Sequence, residues 1–190
     1  MGYRLSKIYT RTGDAGSTGL GDGSRTRKDS LRISAMGDVD ETNTLVGVLL
    51  CEELPVDVVV LLTGIQHDLF DLGGELCIPG SALLATSQPG RLEAAIDHYN
   101  ASLAPLKEFI LPGGTRSAAL AHQARAVCRR AERALVCLGE SEPVSETCRQ
   151  YLNRLSDLLF VLARYLNQHA GCGDVLWQKG KNAAGPAVSG

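Results

Sequence analysis

The chain has 190 residues, 44 % of them hydrophobic and 21 % charged, which suits one domain able to bury a sizeable core. A formal net charge of −2 argues against a duplex-binding protein, which needs a broad basic surface, and an aromatic content of 5 % supplies few stacking platforms for single strands. Six cysteines (51, 77, 128, 137, 148 and 172) contain neither a CxxC pair nor a His/Cys pattern of zinc spacing. Cys128, Cys137 and Cys148 fall in helical patterns, where a reduced thiol acts as a small apolar residue. Met1–Lys7 carries no apolar h-region and no run approaches eighteen apolar residues, so a soluble cytoplasmic protein without a targeting segment is expected.

Residues 1–30 differ from the rest. Five glycines lie between Gly13 and Gly23 with threonines and serines among them, which forbids a helix. The stretch is either a flexible leader or an ordered loop wrapped on a ligand. From about 31 to 171 the periodicity is mainly helical. Ile33, Met36, Val39, Thr42, Leu45, Val46 and Leu49 predict a first helix over 33–52. Pro55 opens a second over 55–76, and residues 77–90 read as a loop. A third fits 90–104, between Gly90 and Pro105. After an apolar break at Phe109–Gly114, a fourth runs from 115 or 117 to 138, stopped by Gly139. A fifth covers 144–170 with Gly171 as its C-cap, and the Gly/Ala-rich tail 172–190 is expected to fray beyond Lys179.

Polar groups on these helices carry the functional signal. The fourth helix holds four arginines and a glutamate in nine residues: Arg125, Arg129, Arg130, Glu132 and Arg133. Three- and four-residue spacing puts His122, Arg125, Arg129 and Glu132 on one stripe. Guanidinium groups in such a cluster match phosphate geometry in pairs, and a solvated basic face is the other reading. The fifth helix is apolar nearly all round, so it belongs at the centre of a bundle. Asn153, Asp157, Phe160 and Arg164 nevertheless share one of its stripes, with Ser156 beside it, and they face either neighbours in the core or a ligand. On the first helix Asp38 suits the positive N-terminal dipole. Asp40, set in an apolar pattern beside Glu41 and Asn43, suits a fixed ion pair with an arginine.

Several chemistries are missing from the sequence. There is no GxxxxGK[ST], no GxGxxG after a strand, no paired Glu-x-x-His and no nucleophile elbow, and His67, His98, His122 and His169 are scattered. His122 reads as a packing residue rather than a ligand. A Gly/Thr-rich loop followed by Lys28, with an arginine helix, can still enclose phosphates through backbone N–H groups, hydroxyls and cations. A nucleotide polyphosphate site is therefore expected. The physics leaves the reaction open.

The segments Thr10-Arg11-Thr12-Gly13-Asp14-x-Gly16-x-Thr18, Lys28, and Gly37-x-Val39-Asp40-Glu41-x-Asn43 resemble the opening of the PduO-type ATP:cob(I)alamin adenosyltransferases. Arg125-x-x-x-Arg129-Arg130-Ala131-Glu132-Arg133 and Tyr151-Leu152-Asn153-Arg154-Leu155-Ser156-Asp157-x-Leu159-Phe160 resemble that family's two C-terminal signatures. Order and spacing agree over roughly residues 5–168. The resemblance implies one all-α domain: a nucleotide-binding loop at 1–30, a ferritin-like five-helix bundle at 31–171 and a flexible tail at 172–190. It implies a homotrimer with an active site at each subunit interface. There the adenosyl group of ATP passes to cob(I)alamin, with Mg²⁺ as the accompanying ion, releasing triphosphate and forming adenosylcobalamin. By motif, Thr10, Arg11, Thr12, Gly13, Thr18, Gly19 and Lys28 wrap ATP from one subunit. Arg129, Arg130, Ala131, Glu132, Arg133 and Asn153 hold it from the neighbour, and Arg125 pairs with Asp40 across the interface. Phe109 packs under the corrin where a lower cobalt ligand would sit. No metal ligand in the chain is assigned. A flavoprotein reductase and an adenosylcobalamin-dependent enzyme are the implied protein partners, and neither nucleic acid nor membrane is expected. Thr42 departs from the leucine more usual after Asp-Glu, and Trp177 reads as a hydrophobic anchor for the C-terminus. Two other readings stand beside this one: a non-catalytic ATP-sensing bundle that binds a partner protein, and a structural bundle with a solvated arginine face.

Overall fold

The computed structural model describes residues 9–183; the expectations for residues 1–8 and for the last seven residues of the tail lie outside the described part. Its elements are a short hairpin, β1 (Ser17–Gly19) and β2 (Arg25–Arg27), followed by α1 (Leu31–Leu49), α2 (Val56–Cys77), α3 (Gln88–Asn100), α4 (Arg116–Leu138) and α5 (Glu146–His169). A five-helix bundle is thus what the periodicity predicts. Three helices start on hydroxyl caps: Ser30 accepts from Ile33 N, Thr115 from Ala118 N and Ser145 from Cys148 N.

Helix α5 is central. It packs on α4 and α3, while α4 packs on α1 and α1 on α2. Leu152, Leu155, Leu158, Leu159 and Leu162 are wholly buried on several sides of it, as the near-continuous apolar pattern requires. Its neighbour α4 approaches closely because Ala118, Ala121, Ala124 and Ala131 form the buried strip. Cys128 and Cys148 are buried as expected of small apolar residues, whereas Cys137 is exposed on α4.

Charged groups inside the bundle fasten helices to one another. Asp68 of α2 accepts from Tyr151 Oη of α5 at 2.8 Å, from Gln88 Nε2 of α3 at 3.0 Å, and from Arg91. Arg32 of α1 is buried and donates to Leu76 O and to Glu142 Oε2, each at 2.7 Å.

The differences from the predicted elements have local causes. The hairpin carries no signal in the sequence, because three-residue strands reading STG and RTR show no apolar alternation. Helix α1 stops at Leu49, where Cys51 N and Glu52 N turn back to Val48 O and Leu49 O. Helix α3 covers Gln88–Asn100 rather than 90–104. Pro89 is tolerated in its first turn, where its missing N–H has no partner to lose, and the chain then turns at Ala101–Leu103 before Pro105. Asp157 is exposed, but Arg164 of the same expected stripe is buried.

Candidate functional site

The glycine-rich segment becomes a hairpin whose crown is a compact turn. Gly23 takes φ +86°, Gly23 N donates to Leu20 O at 3.1 Å, and Asp22 Oδ1 accepts from Ser24 N and Oγ. Gly21 N donates to Cys77 O at 2.8 Å, which docks the turn on the end of α2, and a Cβ on Gly21 would lie 2.5 Å from Ile78 Cγ1. No larger residue fits that approach.

Ahead of the hairpin, residues 10–14 form a cup. Thr10 and Thr12 share a hydroxyl hydrogen bond of 2.9 Å, and Arg11 adopts φ +61° with its guanidinium 5.6 Å from the centre of the Tyr9 ring. A non-glycine residue in the left-handed region is a strain that surrounding contacts must hold. Arg25 Nη2 supplies one such contact, donating to Thr12 O at 2.8 Å and to Ser17 Oγ at 2.7 Å. Lys28 N donates to Gly16 O at 2.9 Å, and its Nζ stands 3.2 Å from where a Cβ on Gly13 would be. Tyr9, Thr10, Arg11, Thr12, Gly13, Thr18, Gly19 and Lys28 thereby line one concavity of about 290 Å³. Thr18, Gly19 and Lys28 also face a larger cavity of about 720 Å³ against α1 and α2, where Asp40, Asn43 and Phe70 form further walls. Asp40 is exposed there, and its carboxylate makes no ion pair among the described residues.

A second cluster of expected site residues lies on α4 and α5. Arg125 is half-buried, and its Nε is enclosed without a hydrogen-bond partner. Burial, reinforced by the like charge of Arg129, pushes the Arg125 pKa below the usual guanidinium value. Arg129 and Arg133 are exposed and form no ion pair among the described residues. Arg130 is committed within the chain: its Nε donates to Asp38 Oδ1 at 2.9 Å and its Nη2 to Glu41, tying α4 to α1. Glu132 accepts from Asn153 Nδ2 at 2.8 Å, tying α4 to α5. Ala131 beside them is buried against the core.

Phe109 is 78 % exposed on the loop between α3 and α4. With Leu106, His122, Arg125 and Phe160 it lines a cavity of about 630 Å³. His122 is buried, packs edge-on to Phe160 at a centroid distance of 6.0 Å, and has neither ring nitrogen hydrogen-bonded. Burial first, then the charge of Arg125, depress its pKa, with Asp174 opposing. An apolar-packed neutral imidazole agrees with the expected packing role. The tail, invisible to motif reasoning, pairs with the Phe109 loop: Trp177 N donates to Phe109 O at 2.7 Å and Leu111 N to Val175 O at 2.8 Å. Trp177 lies edge-on to Phe109 at 6.4 Å, so it anchors the tail on this loop.

The 720 Å³ cavity beside the hairpin and the 630 Å³ cavity beside Phe109 share no lining residue. One chain thus presents two separate cavities, one lined by hydroxyls, backbone amides and a lysine, the other by Arg125, His122 and an exposed aromatic. Asp40 and Arg125 lie in different cavities and do not pair within the chain. Among the described residues no three His, Cys, Asp or Glu side chains come together to hold a metal ion. No helix is long and apolar enough to cross a membrane among them.

Residues 8–166 match the profile of the family described as cobalamin adenosyltransferase. The chain is 66 % identical over 180 residues to the cobalamin adenosyltransferase of Cupriavidus metallidurans, covering 94 % of this chain and 98 % of that one. It is 46 % identical to the corrinoid adenosyltransferase of Bacillus subtilis, over 91 % of this chain and 93 % of its relative. Among solved structures it is similar to a variant PduO-type ATP:corrinoid adenosyltransferase from Lactobacillus reuteri complexed with cobalamin and ATP. That likeness has a TM-score of 0.87 at 35 % identity and covers 91 % of this chain and 97 % of the other.

Proposed function

The chain belongs to the cobalamin adenosyltransferase family, and from that premise we infer that it transfers the 5′-deoxyadenosyl group of ATP to cob(I)alamin, forming adenosylcobalamin and releasing triphosphate. The observation that carries this reading is the 66 % identity, over nearly all of both chains, to a protein of that named activity. The non-catalytic ATP sensor is not favoured.

The two half-sites are completed between subunits. Thr10, Arg11, Thr12, Gly13, Thr18, Gly19 and Lys28 of one subunit cradle the nucleotide. Arg129, Arg133 and Asn153 of the next close over its phosphates, with Arg130, Ala131 and Glu132 shaping that surface. The enclosed, unpartnered Nε of Arg125 supports a pairing with the exposed, unpaired Asp40 of the adjacent copy. A heterologous contact between loop and arginine helix can close into a ring, and the family resemblance makes that ring a homotrimer.

The substrate cob(I)alamin supplies the nucleophile, so the protein's task is orientation and charge stabilisation. Negative charge develops on the departing triphosphate as the bond to the 5′-carbon breaks. Arg129, the α4 arginine exposed beside Arg125 and without an acidic partner among the described residues, and Lys28, which lines the cup, are the cations proposed to meet it. Mg²⁺ would be held largely by the phosphates and water, as is usual for this ion on a polyphosphate. Phe109, exposed and without a ligating atom, faces the corrin from below and favours four-coordinate Co(II), the form more easily reduced to Co(I). A flavoprotein reductase as electron source, an adenosylcobalamin-dependent enzyme as recipient and a cytoplasmic setting complete the proposal.

Incubation with ATP, Mg²⁺ and chemically reduced cobalamin tests it. The expected result is the spectral change of Co–C bond formation with one triphosphate released per adenosylcobalamin. Binding of ATP with neither product would return the sensor reading.

A further inference from the structure

The loop carrying Phe109 is held at both ends and along one edge by groups outside the nucleotide half-site. At its start Ala104 O accepts from Arg164 Nη2 at 2.8 Å. At its end Asn167 Oδ1 accepts from Thr115 N at 2.9 Å, and Asn167 Nδ2 donates to Gly113 O at 3.0 Å. Along its edge run residues 175–177 of the tail, with Ile110 and Leu176 in an antiparallel bridge. The first residues of that tail are fixed by Cys172 N donating to Asn167 O at 2.8 Å and by Arg164 Nε donating to Asp174 Oδ2 at 2.7 Å. A single guanidinium on α5, its side chain 7 % exposed, therefore holds both the loop and the tail that braces it.

Burying a guanidinium is unfavourable unless its donors are met. Among the described residues the groups that meet those of Arg164 are Asp174 and Ala104 O, so its charge is compensated only while tail and loop are both docked. Release of the tail would also remove two backbone hydrogen bonds from the Phe109 loop and the aromatic contact with Trp177. We propose that Arg164 and Asp174 are positioning residues that latch the tail strand onto the loop and so set the height of Phe109 in its cavity. This rests on the assignment of Phe109 to the corrinoid half-site.

Trp177 is the chain's one tryptophan, so its emission reports docking of the tail directly. Asp174 lies outside the helices, so its replacement lets the tail lift and the Arg164 guanidinium reach water, whereas replacing Arg164 would open a space on the central helix α5. In Asp174→Ala, Trp177 emission shifts to the red and acrylamide quenches it more. Adenosylcobalamin formation from cob(II)alamin with a chemical reductant falls about tenfold, a size reached when a reacting group is slightly misplaced. Turnover from pre-reduced cob(I)alamin falls less and KM for ATP holds, while Asp174→Glu restores both quenching and rate. Unchanged quenching in Asp174→Ala, or equal loss from both cobalamin states, overturns the latch. Phe109→Ala, measured in parallel, separates the two levels. A Co(II)-selective loss there without one in Asp174→Ala removes the latch and leaves the Phe109 assignment standing. No selective loss in Phe109→Ala removes that assignment and the latch's role with it.

Discussion

Asp68 offers the most quantitative test of how the bundle holds its site. Its carboxylate, with 5 % side-chain exposure, receives Tyr151 Oη, Gln88 Nε2 and Arg91, joining α2, α3 and α5. Replacement by alanine leaves the Tyr151 hydroxyl enclosed without a partner, at a cost of about 1–3 kcal/mol. Arg91 is 44 % exposed and turns to water, so loss of its ion pair adds only about 0–1 kcal/mol. The expected destabilisation of Asp68→Ala is therefore about 1–4 kcal/mol. Tyr151→Phe leaves the carboxylate its other two donors and costs about 0.5–1.5 kcal/mol. In the double variant no orphan hydroxyl remains, so the coupling between the two sites reaches about 1–2 kcal/mol. Urea unfolding at one fixed protein concentration measures all three, because an oligomer's stability depends on concentration. Additive losses, or less than about 1 kcal/mol for Asp68→Ala, would refute the reasoning.

Arg129→Ala is expected to lower kcat/KM for ATP by about 10²–10³, the usual cost of one pre-organised donor at a developing charge, with the unfolding midpoint unchanged. Steady-state triphosphate release checks it. Phe109→Ala, at a position 78 % exposed, shifts stability by no more than about 0.5 kcal/mol yet slows turnover from Co(II) more than from Co(I), as read by absorbance from each starting state. His122 titrates below its unfolded value of 6.5, so the unfolded chain binds its proton first on acidification. Stability should then fall as pH drops from about 6.5 toward the folded pKa, and His122→Phe should flatten that part of the urea-derived stability profile.

The arginine helix and the central helix were legible because their signals are local. Arg125, Arg129 and Arg133 turn away from an alanine-lined strip, and the fifth helix buries leucines on several sides. Spacing also put Arg130 off the main stripe, but its partners Asp38 and Glu41 come from α1, about ninety residues away, and spacing carries no such information. Asp68 and Glu75 sit within an apolar helical run and give no sign that they are buried, Asp68 on side chains of α3 and α5 and Glu75 on the backbone N–H groups of Leu83 and Leu84. The hairpin escaped notice because a three-residue strand is too short to show alternation, and what fixes it is the close approach of Gly21 to Cys77 and Ile78. The bracing of Phe109 joins segments some sixty residues apart through backbone groups, which are the same in every sequence. Arg164 was visible as a polar residue on a buried helix; its partner in the tail was not.

The central claim is that adenosyl transfer occurs at a site built from two subunits, and subunit complementation measures it most directly. Lys28→Ala damages the loop half-site and Arg129→Ala the arginine half-site, so each variant alone should release little triphosphate from ATP and reduced cobalamin. After mixing in equal amounts and allowing subunit exchange, half of the loops and half of the arginine helices are intact. About one quarter of the interfaces in a ring then regain both intact halves, and triphosphate release should recover to about that fraction of wild type. No recovery, with exchange verified by mass-tagged subunits, would contradict the shared site.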